Sequence, residues 1–257
     1  MGAHWLVRAG ALAAALMVAG CASTPVQEVG TPARAENKLA ELHTELGVGY
    51  LREGKLELAW QRLHKALLAD PDYSAAHNAM GLLYARMGET EKAEEHLRRA
   101  VELDPVNSSA QNNYGGFLCR QGRFEEGEQR FLRAVKNPLY RSPQTAYANA
   151  GLCMQRAGKL DRAETYLRNA LAIDPRLPPA LLAMSEISLA KGAYLSARGY
   201  LQRYLEVASH SPRTLWLGIR IERQLGDRDT EASYALLLRS KYPDSPEAAQ
   251  LRAEEQQ

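Results

Sequence analysis

Between residues 54 and 204 one hydrophobic phrase keeps returning. A small residue (Ala59, Ala93, Gly127, Ala163, Ala197) is followed four positions later by a large apolar one (Leu63, Leu97, Phe131, Leu167, Leu201). Three positions further on comes alanine again in Ala66, Ala100, Ala134 and Ala170. Spacings of four and three place the set on one face of a helix, with polar residues such as Glu91, Lys92, Glu94, Glu95, Arg98 and Arg99 between them. The pattern predicts a helix after each of a series of glycines, Gly54, Gly88, Gly122, Gly158, Gly192 and Gly226, which recur at steps of 34, 34, 36, 34 and 34. A second glycine series, Gly47, Gly81, Gly115 and Gly151, stands seven residues ahead of the first four, and Pro71, Pro105 and Pro175 close their units.

Each punctuation mark has a physical reason. The early glycine lets one helix lie close to the next, the turn glycine ends the first helix by accepting φ > 0, and the proline cannot continue the second. A 34-residue helix–turn–helix phrase of this kind resembles the tetratricopeptide (TPR) repeat. The resemblance implies an all-α fold, a right-handed superhelical solenoid of six repeats at about 40–73, 74–107, 108–143, 144–177, 178–211 and 212–245. The sixth is irregular, with Gly218 and Ala232 each one residue out of register. The third carries two extra residues in the proline-bracketed loop Asn137–Pro143, and residues 246–257 read as a polar tail, frayed or solvating.

Ahead of the repeats, Arg8 precedes an apolar run from Ala9 to Gly20. Twelve residues are too few to cross a bilayer, which takes about 20, but suit the hydrophobic region of a secretory signal peptide. Val18-Ala19-Gly20-Cys21 resembles a bacterial lipobox, which implies cleavage after residue 20 and a diacylglycerol on the Cys21 sulfur. Alanine at position 22, where aspartate favours inner-membrane retention in lipoproteins, implies transfer to the outer membrane. Residues 21–39 then read as a lipidated N-terminus and flexible tether.

Composition changes little. The chain has 257 residues, 46% hydrophobic and 24% charged, with a net charge of +2. So small an imbalance argues against a nucleic-acid partner. No Gly-rich phosphate loop, no H-x-x-x-H and no singular Ser–His–Asp order appears, which gives no basis for an enzyme, a cofactor or a small-molecule substrate. His43 and His77 share position 4 of successive repeats and read as packing residues; His64 and His96 read as surface residues.

What remains is a binding surface. Positions 2, 5, 6, 9, 12 and 13 of each first helix reach the concave side of a TPR solenoid. They bring together Asn78, Asn112, Asn113 and Asn149, the apolar Leu82 and Leu152, and an arginine ladder of Arg86, Arg120 and Arg156, with Arg52 ahead of it. Amides can pair with the backbone of an extended peptide, and guanidiniums can fork onto carboxylates. A cation at the end of a helix is also favoured by the helix dipole, so a purely local role stands beside the binding one.

Several phrases are more particular than the repeat: NNYGGFLCRQGRFEEGE, NPLYRSP followed by NAGLCMQRAG, and SPRTLWLGIRIERQLGD. With the lipobox they resemble the type IV pilus biogenesis lipoproteins of the PilF/PilW family across essentially the whole chain. That resemblance implies a non-catalytic pilotin, lipid-anchored to the outer membrane and facing the periplasm of a Gram-negative bacterium. Its partner would be the pilus secretin, which it helps to localise or assemble. A pilus-stabilising factor and a general periplasmic scaffold for β-barrel or cell-wall assembly are the alternatives.

Cys119 and Cys153 fall at position 12 of the third repeat and position 10 of the fourth, on helices expected to stack. In an oxidising periplasm they are placed to form a disulfide, and a bridge over roughly 35 residues stabilises by about 3–4 kcal/mol in the chain-entropy account. Two reduced, buried cysteines acting as small apolar residues are the alternative.

Overall fold

The computed structural model describes residues 32–256, with side chains from residue 37 onward. The signal peptide, Cys21 and the tether up to residue 31 lie outside the described residues. The chain forms helices α1 (Pro32–Arg52), α2 (Leu56–Ala69), α3 (Ser74–Met87), α4 (Thr90–Leu103), α5 (Ser108–Arg120) and α6 (Phe124–Lys136). They continue as α7 (Pro143–Arg156), α8 (Leu160–Ile173), α9 (Pro178–Ala190), α10 (Tyr194–Leu205), α11 (Pro212–Leu225), α12 (Arg228–Lys241) and α13 (Pro246–Glu255). The fold is all-α and built from TPR units, each an odd-numbered helix paired with the even-numbered helix that follows. Helix α1 begins inside the segment expected to be tether, so residues 32–39 are helical.

Local chemistry explains the hairpins. All six turn glycines adopt φ between +73° and +83°, a region costly for any residue with a Cβ. Within each hairpin the two helices come into backbone range: a Cβ placed on Gly81 would sit 2.6 Å from Leu97 Cγ. The repeats differ in how they fill that spot. In the fifth, Ser185 replaces the glycine; it is fully buried and its hydroxyl donates to Ala197 O at 2.8 Å. In the sixth, a Cβ on Gly218 would meet the Tyr234 ring at 2.8 Å. The displaced register therefore reflects an aromatic ring in the place of leucine. Ala232, read as the small packing residue of this repeat, is exposed, and Ala235 and Leu238 are buried instead.

Successive units stack asymmetrically. Helices α1, α3, α5, α7, α9 and α11 each pack on the next in the series, whereas no even-numbered helix packs on another even-numbered one. The odd-numbered layer therefore lies on the inside of the curve and forms the concave face. Across the outer layer, long side chains make the contact. Glu128 on α6, 3% exposed, accepts from Tyr166 Oη at 2.6 Å and pairs with Arg162, both on α8. Between the two layers, Glu222 on α11, 2% exposed, pairs with Arg198 on α10. A buried carboxylate is tolerable only with such a partner, because the desolvation of an unpaired charge is severe.

The C-terminal segment is not a frayed tail. Ser245 caps α13 by accepting from Ala248 N at 3.1 Å, and Ala248 and Leu251 bury against Leu215, Ile219 and Leu238. The helix covers the apolar end of the last repeat, as a terminal cap of a solenoid must. Leu251 is 2% exposed, and Leu251→Ala is expected to cost about 2–5 kcal/mol. The urea midpoint of unfolding, followed by far-UV circular dichroism, should fall accordingly; an unchanged midpoint would mean that α13 does not stay docked in solution.

Candidate functional site

The concave face is described most simply by register, with position 1 at residues 40, 74, 108, 144, 178 and 212. Position 5 of one odd-numbered helix meets position 6 of the next. At the α3–α5 interface Asn113 Nδ2 donates to Asn78 Oδ1, and at the α5–α7 interface Asn149 Nδ2 donates to Asn112 Oδ1, both at 3.0 Å. The corresponding residues one interface outward on either side are Thr44 with Ala79 and Ala148 with Ala183. The amide pairs are thus confined to the middle of the face. Each pair uses half of each amide and leaves the Nδ2 groups of Asn78 and Asn112 without a hydrogen bond among the described residues.

The arginine ladder separates into two kinds of residue. Arg86 Nη1 donates to Leu51 O at 2.5 Å and so satisfies a carbonyl in the last turn of α1. Arg120 and Arg156 form no hydrogen bond or salt bridge among the described residues. Partial burial and the neighbouring Arg156 charge hold the Arg120 guanidinium below the usual arginine range. Two cations without a counter-ion among the described residues therefore stand side by side on this part of the face.

Both arginines border a cavity of about 240 Å³, together with Leu82, Asn112, Asn113, Asn149 and Leu152. Asn78 reaches it only through Asn113, and Arg86 does not line it. Cys119, Cys153 and Phe131 also contribute to its wall. Cys119 and Cys153 are joined in a disulfide with Cα atoms 5.7 Å apart, linking α5 to α7. The bridge accounts for an oddity of the sequence. Gly127 stands where the other repeats carry alanine, and a Cβ there would lie 2.5 Å from Cys119 Sγ and 2.9 Å from Gly115 O. The sulfur occupies the space of the missing methyl.

Two residues on the same face escaped the sequence reading. Trp216 and Arg220 occupy positions 5 and 9 of the sixth repeat, the positions of Asn112 and Gly116 in the third. The register of the sixth repeat places them there, although its Gly218 is displaced by one residue. The histidines are also rearranged. His96 is half-buried, packed on Tyr84 and His77, and is not a surface residue. His77 Nε2 lies 2.9 Å from Pro71 O and its Nδ1 3.0 Å from His96 Nδ1. The carbonyl can only accept, so His77 donates through Nε2 and His96 donates to His77 Nδ1. Burial, and then His77, push the His96 imidazole below its usual range.

Comparison with known proteins adds the following. A tetratricopeptide repeat family model matches residues 44–108 and 78–144, and a model of the cilia and flagella-associated protein 70 middle TPR-like domain matches residues 139–238. The chain is 33% identical over 240 residues to the type IV pilus assembly protein PilF of Pseudomonas aeruginosa, covering 93% of this chain and 95% of that protein. The solved structure of Pseudomonas aeruginosa PilF superposes with a TM-score of 0.79 at 34% identity, over 86% of this chain and 99% of that one. The structure of PilW, described as a widely conserved type IV pilus biogenesis factor, gives 0.78 at 29% identity, over 84% and 99%.

Two outcomes are expected from the geometry. Gly127→Ala should cost about 1–3 kcal/mol by overpacking, and less when Cys119→Ala and Cys153→Ala remove the sulfurs; equal costs in both backgrounds, from urea titrations, would disprove the steric link. The second concerns pH. A lowered folded-state value for His96 means that the unfolded chain binds a proton the folded chain refuses. The contribution is complete above the unfolded value of about 6.5 and is lost as pH falls below it. Stability should therefore drop from pH 7.5 to 5.5, and drop less in His96→Gln; parallel profiles for the two proteins would refute this.

Proposed function

The chain belongs to the family of type IV pilus assembly proteins that includes PilF and PilW, and on that premise we propose that it is a pilotin. In this reading it is a non-catalytic lipoprotein, carried on the outer membrane by a diacylglycerol on Cys21 and facing the periplasm of a Gram-negative cell. It holds the type IV pilus secretin during its delivery to, or multimerisation in, that membrane. Apart from the covalent lipid it needs no cofactor, small-molecule substrate or nucleic acid.

The observation that carries the reading is the extent of the likeness: 95% of the length of a pilus assembly protein is matched. Two features support the finer parts. The Val18–Cys21 lipobox, with Ala22 after it, favours an outer-membrane anchor. The concave face holds uncommitted amides and two unneutralised guanidiniums around a cavity, the equipment of a peptide-binding scaffold. A lipid anchor also raises the effective concentration of that face near a partner which must insert into the same membrane; short tethers reach the millimolar range.

The test is a deletion strain complemented with variants. Without the gene, secretin multimers resistant to detergent should disappear from gels, and the wild-type gene should restore them. Cys21→Ala, which removes the lipid, and Ala22→Asp, which redirects the anchor to the inner membrane, should both reduce multimers and place the protein outside the outer-membrane fraction. Normal multimers with absent pili would replace this reading with the pilus-stabilising one. Normal piliation with envelope defects would replace it with a general scaffold for β-barrel or cell-wall assembly.

A further inference from the structure

At the C-terminal end of the concave face, two further cavities of about 540 and 350 Å³ lie side by side, and Leu189, Trp216 and Arg220 line both. Leu189 lies in the last turn of α9; Trp216 and Arg220 are one turn apart on α11 and so share a face. Trp216 packs one part of its ring on the core of the last repeat and leaves the rest exposed to the cavities. Its indole N–H has no hydrogen-bond partner among the described residues, so the core does not use the polar end of this side chain.

The charges of the walls do not balance. Arg213 is held by Glu186, at 2.7 Å from Nε. Arg223 is held by Glu231 and Glu254, each at 2.8 Å. Those three carboxylates are thereby occupied, and Glu186 also accepts from Gln155 Nε2 at 3.1 Å. Arg220 alone of the three arginines has no carboxylate, hydrogen bond or ion pair among the described residues.

The geometry points to a docking site here for an extended segment of a partner protein in which an apolar side chain stands beside an acidic one. The apolar side chain rests on Trp216 and Leu189, the carboxylate forks onto Arg220, and the indole N–H donates to a backbone carbonyl of the segment. Tryptophan and arginine at the centre of a concave patch are the residue types that dominate binding energy in interfaces. A chain that fills both cavities must pass over Trp216 and continue on either side. The carboxylate is therefore an internal Asp or Glu, not a chain terminus. The site is some two repeats away from the cavity at Arg120 and Arg156 and shares no residue with it. It does not depend on which protein supplies the segment.

A dodecapeptide display library selected on the purified full chain tests the assignment, with enriched peptides remeasured individually by fluorescence anisotropy. Enriched sequences should carry Asp or Glu within two positions of a large apolar residue. Their affinity should fall about tenfold or more in Trp216→Ala and in Arg220→Glu, and stay unchanged in Arg156→Glu. Exchanging the peptide's Glu for Lys should restore binding to Arg220→Glu. Arg220 is exposed, so that variant reports on the contact even if Trp216→Ala perturbs the last repeat; circular dichroism verifies both. The assignment is overturned if no peptide is enriched, if enriched peptides bind the Arg220→Glu protein equally well, or if their carboxylate is dispensable. Each of these results leaves the secretin experiment with its own outcome.

Discussion

The structure depends on one contact, the approach of two helix backbones where a side chain is absent. At Gly81 a single added carbon would stand 2.6 Å from Leu97 Cγ, and Gly47 and Gly151 make the same contact with Leu63 and Leu167. Leucine fills the notch, the paired helix follows, and the hairpin angle is set. Because hairpin follows hairpin at a nearly constant interval, that angle is inherited by the whole solenoid. The odd-numbered helices pack on one another along the inside, and their positions 5, 6, 9, 12 and 13 become a continuous surface. No residue of that surface creates it. The notch does, and the surface is then free to vary.

It varies in a way that divides the face in two. Asparagine pairs and unneutralised arginines occupy the middle, at the junctions of α3, α5 and α7. Tryptophan, leucine and a single unneutralised arginine occupy the end, at α9 and α11. Structural stability does not require these choices. The helix dipole favours a cation at the end of α5 or α7 without requiring that two of them share a cavity, and each amide pair supplies one modest hydrogen bond while leaving other amide groups free. Contacts between helices show what the chain does when charge serves packing: Glu128 on α6 and Glu222 on α11 are buried, and each has its cation.

Much of this was legible in the sequence because the repeat reports backbone constraints directly. A glycine at φ > 0 and a glycine in a notch have few substitutes, so their spacing reveals hairpins, and register alone brings Asn112, Asn149, Leu152, Arg120 and Arg156 to one cavity. What register cannot express is the choice a side chain makes once it is in place. Arg86, Arg120 and Arg156 are equivalent in the repeat, yet Arg86 bonds a carbonyl of the preceding helix and the other two do not. His96 looks solvated among charged neighbours but lies against Tyr84 and His77. The irregular ends were hardest to read. Ala232 imitates a packing alanine while Tyr234 fills the notch over Gly218, and the polar composition of α13 hides the two residues, Ala248 and Leu251, that dock it.

The disulfide belongs with the charges as much as with the fold. A solenoid is held by contacts between neighbours, and the α5–α7 interface differs from the others in two ways. The connection between its units is lengthened by the Asn137–Pro143 loop, and Arg120 and Arg156, whose charges oppose each other, face a common cavity across it. Cys119 precedes the first of these arginines directly, and Cys153 lies one turn before the second. A covalent bond there fixes the α5 and α7 backbones beside the two arginines. The amide pair of Asn112 and Asn149 acts in the same direction with much less strength. The room for the sulfur comes from Gly127, which gives up the methyl that the other hairpins use. The third repeat thus departs from the common phrase at three linked points, Cys119, Gly127 and the proline loop. Cys119 and Gly127 are tied by the space that the sulfur takes, and the bridge joins the repeats on either side of the proline loop.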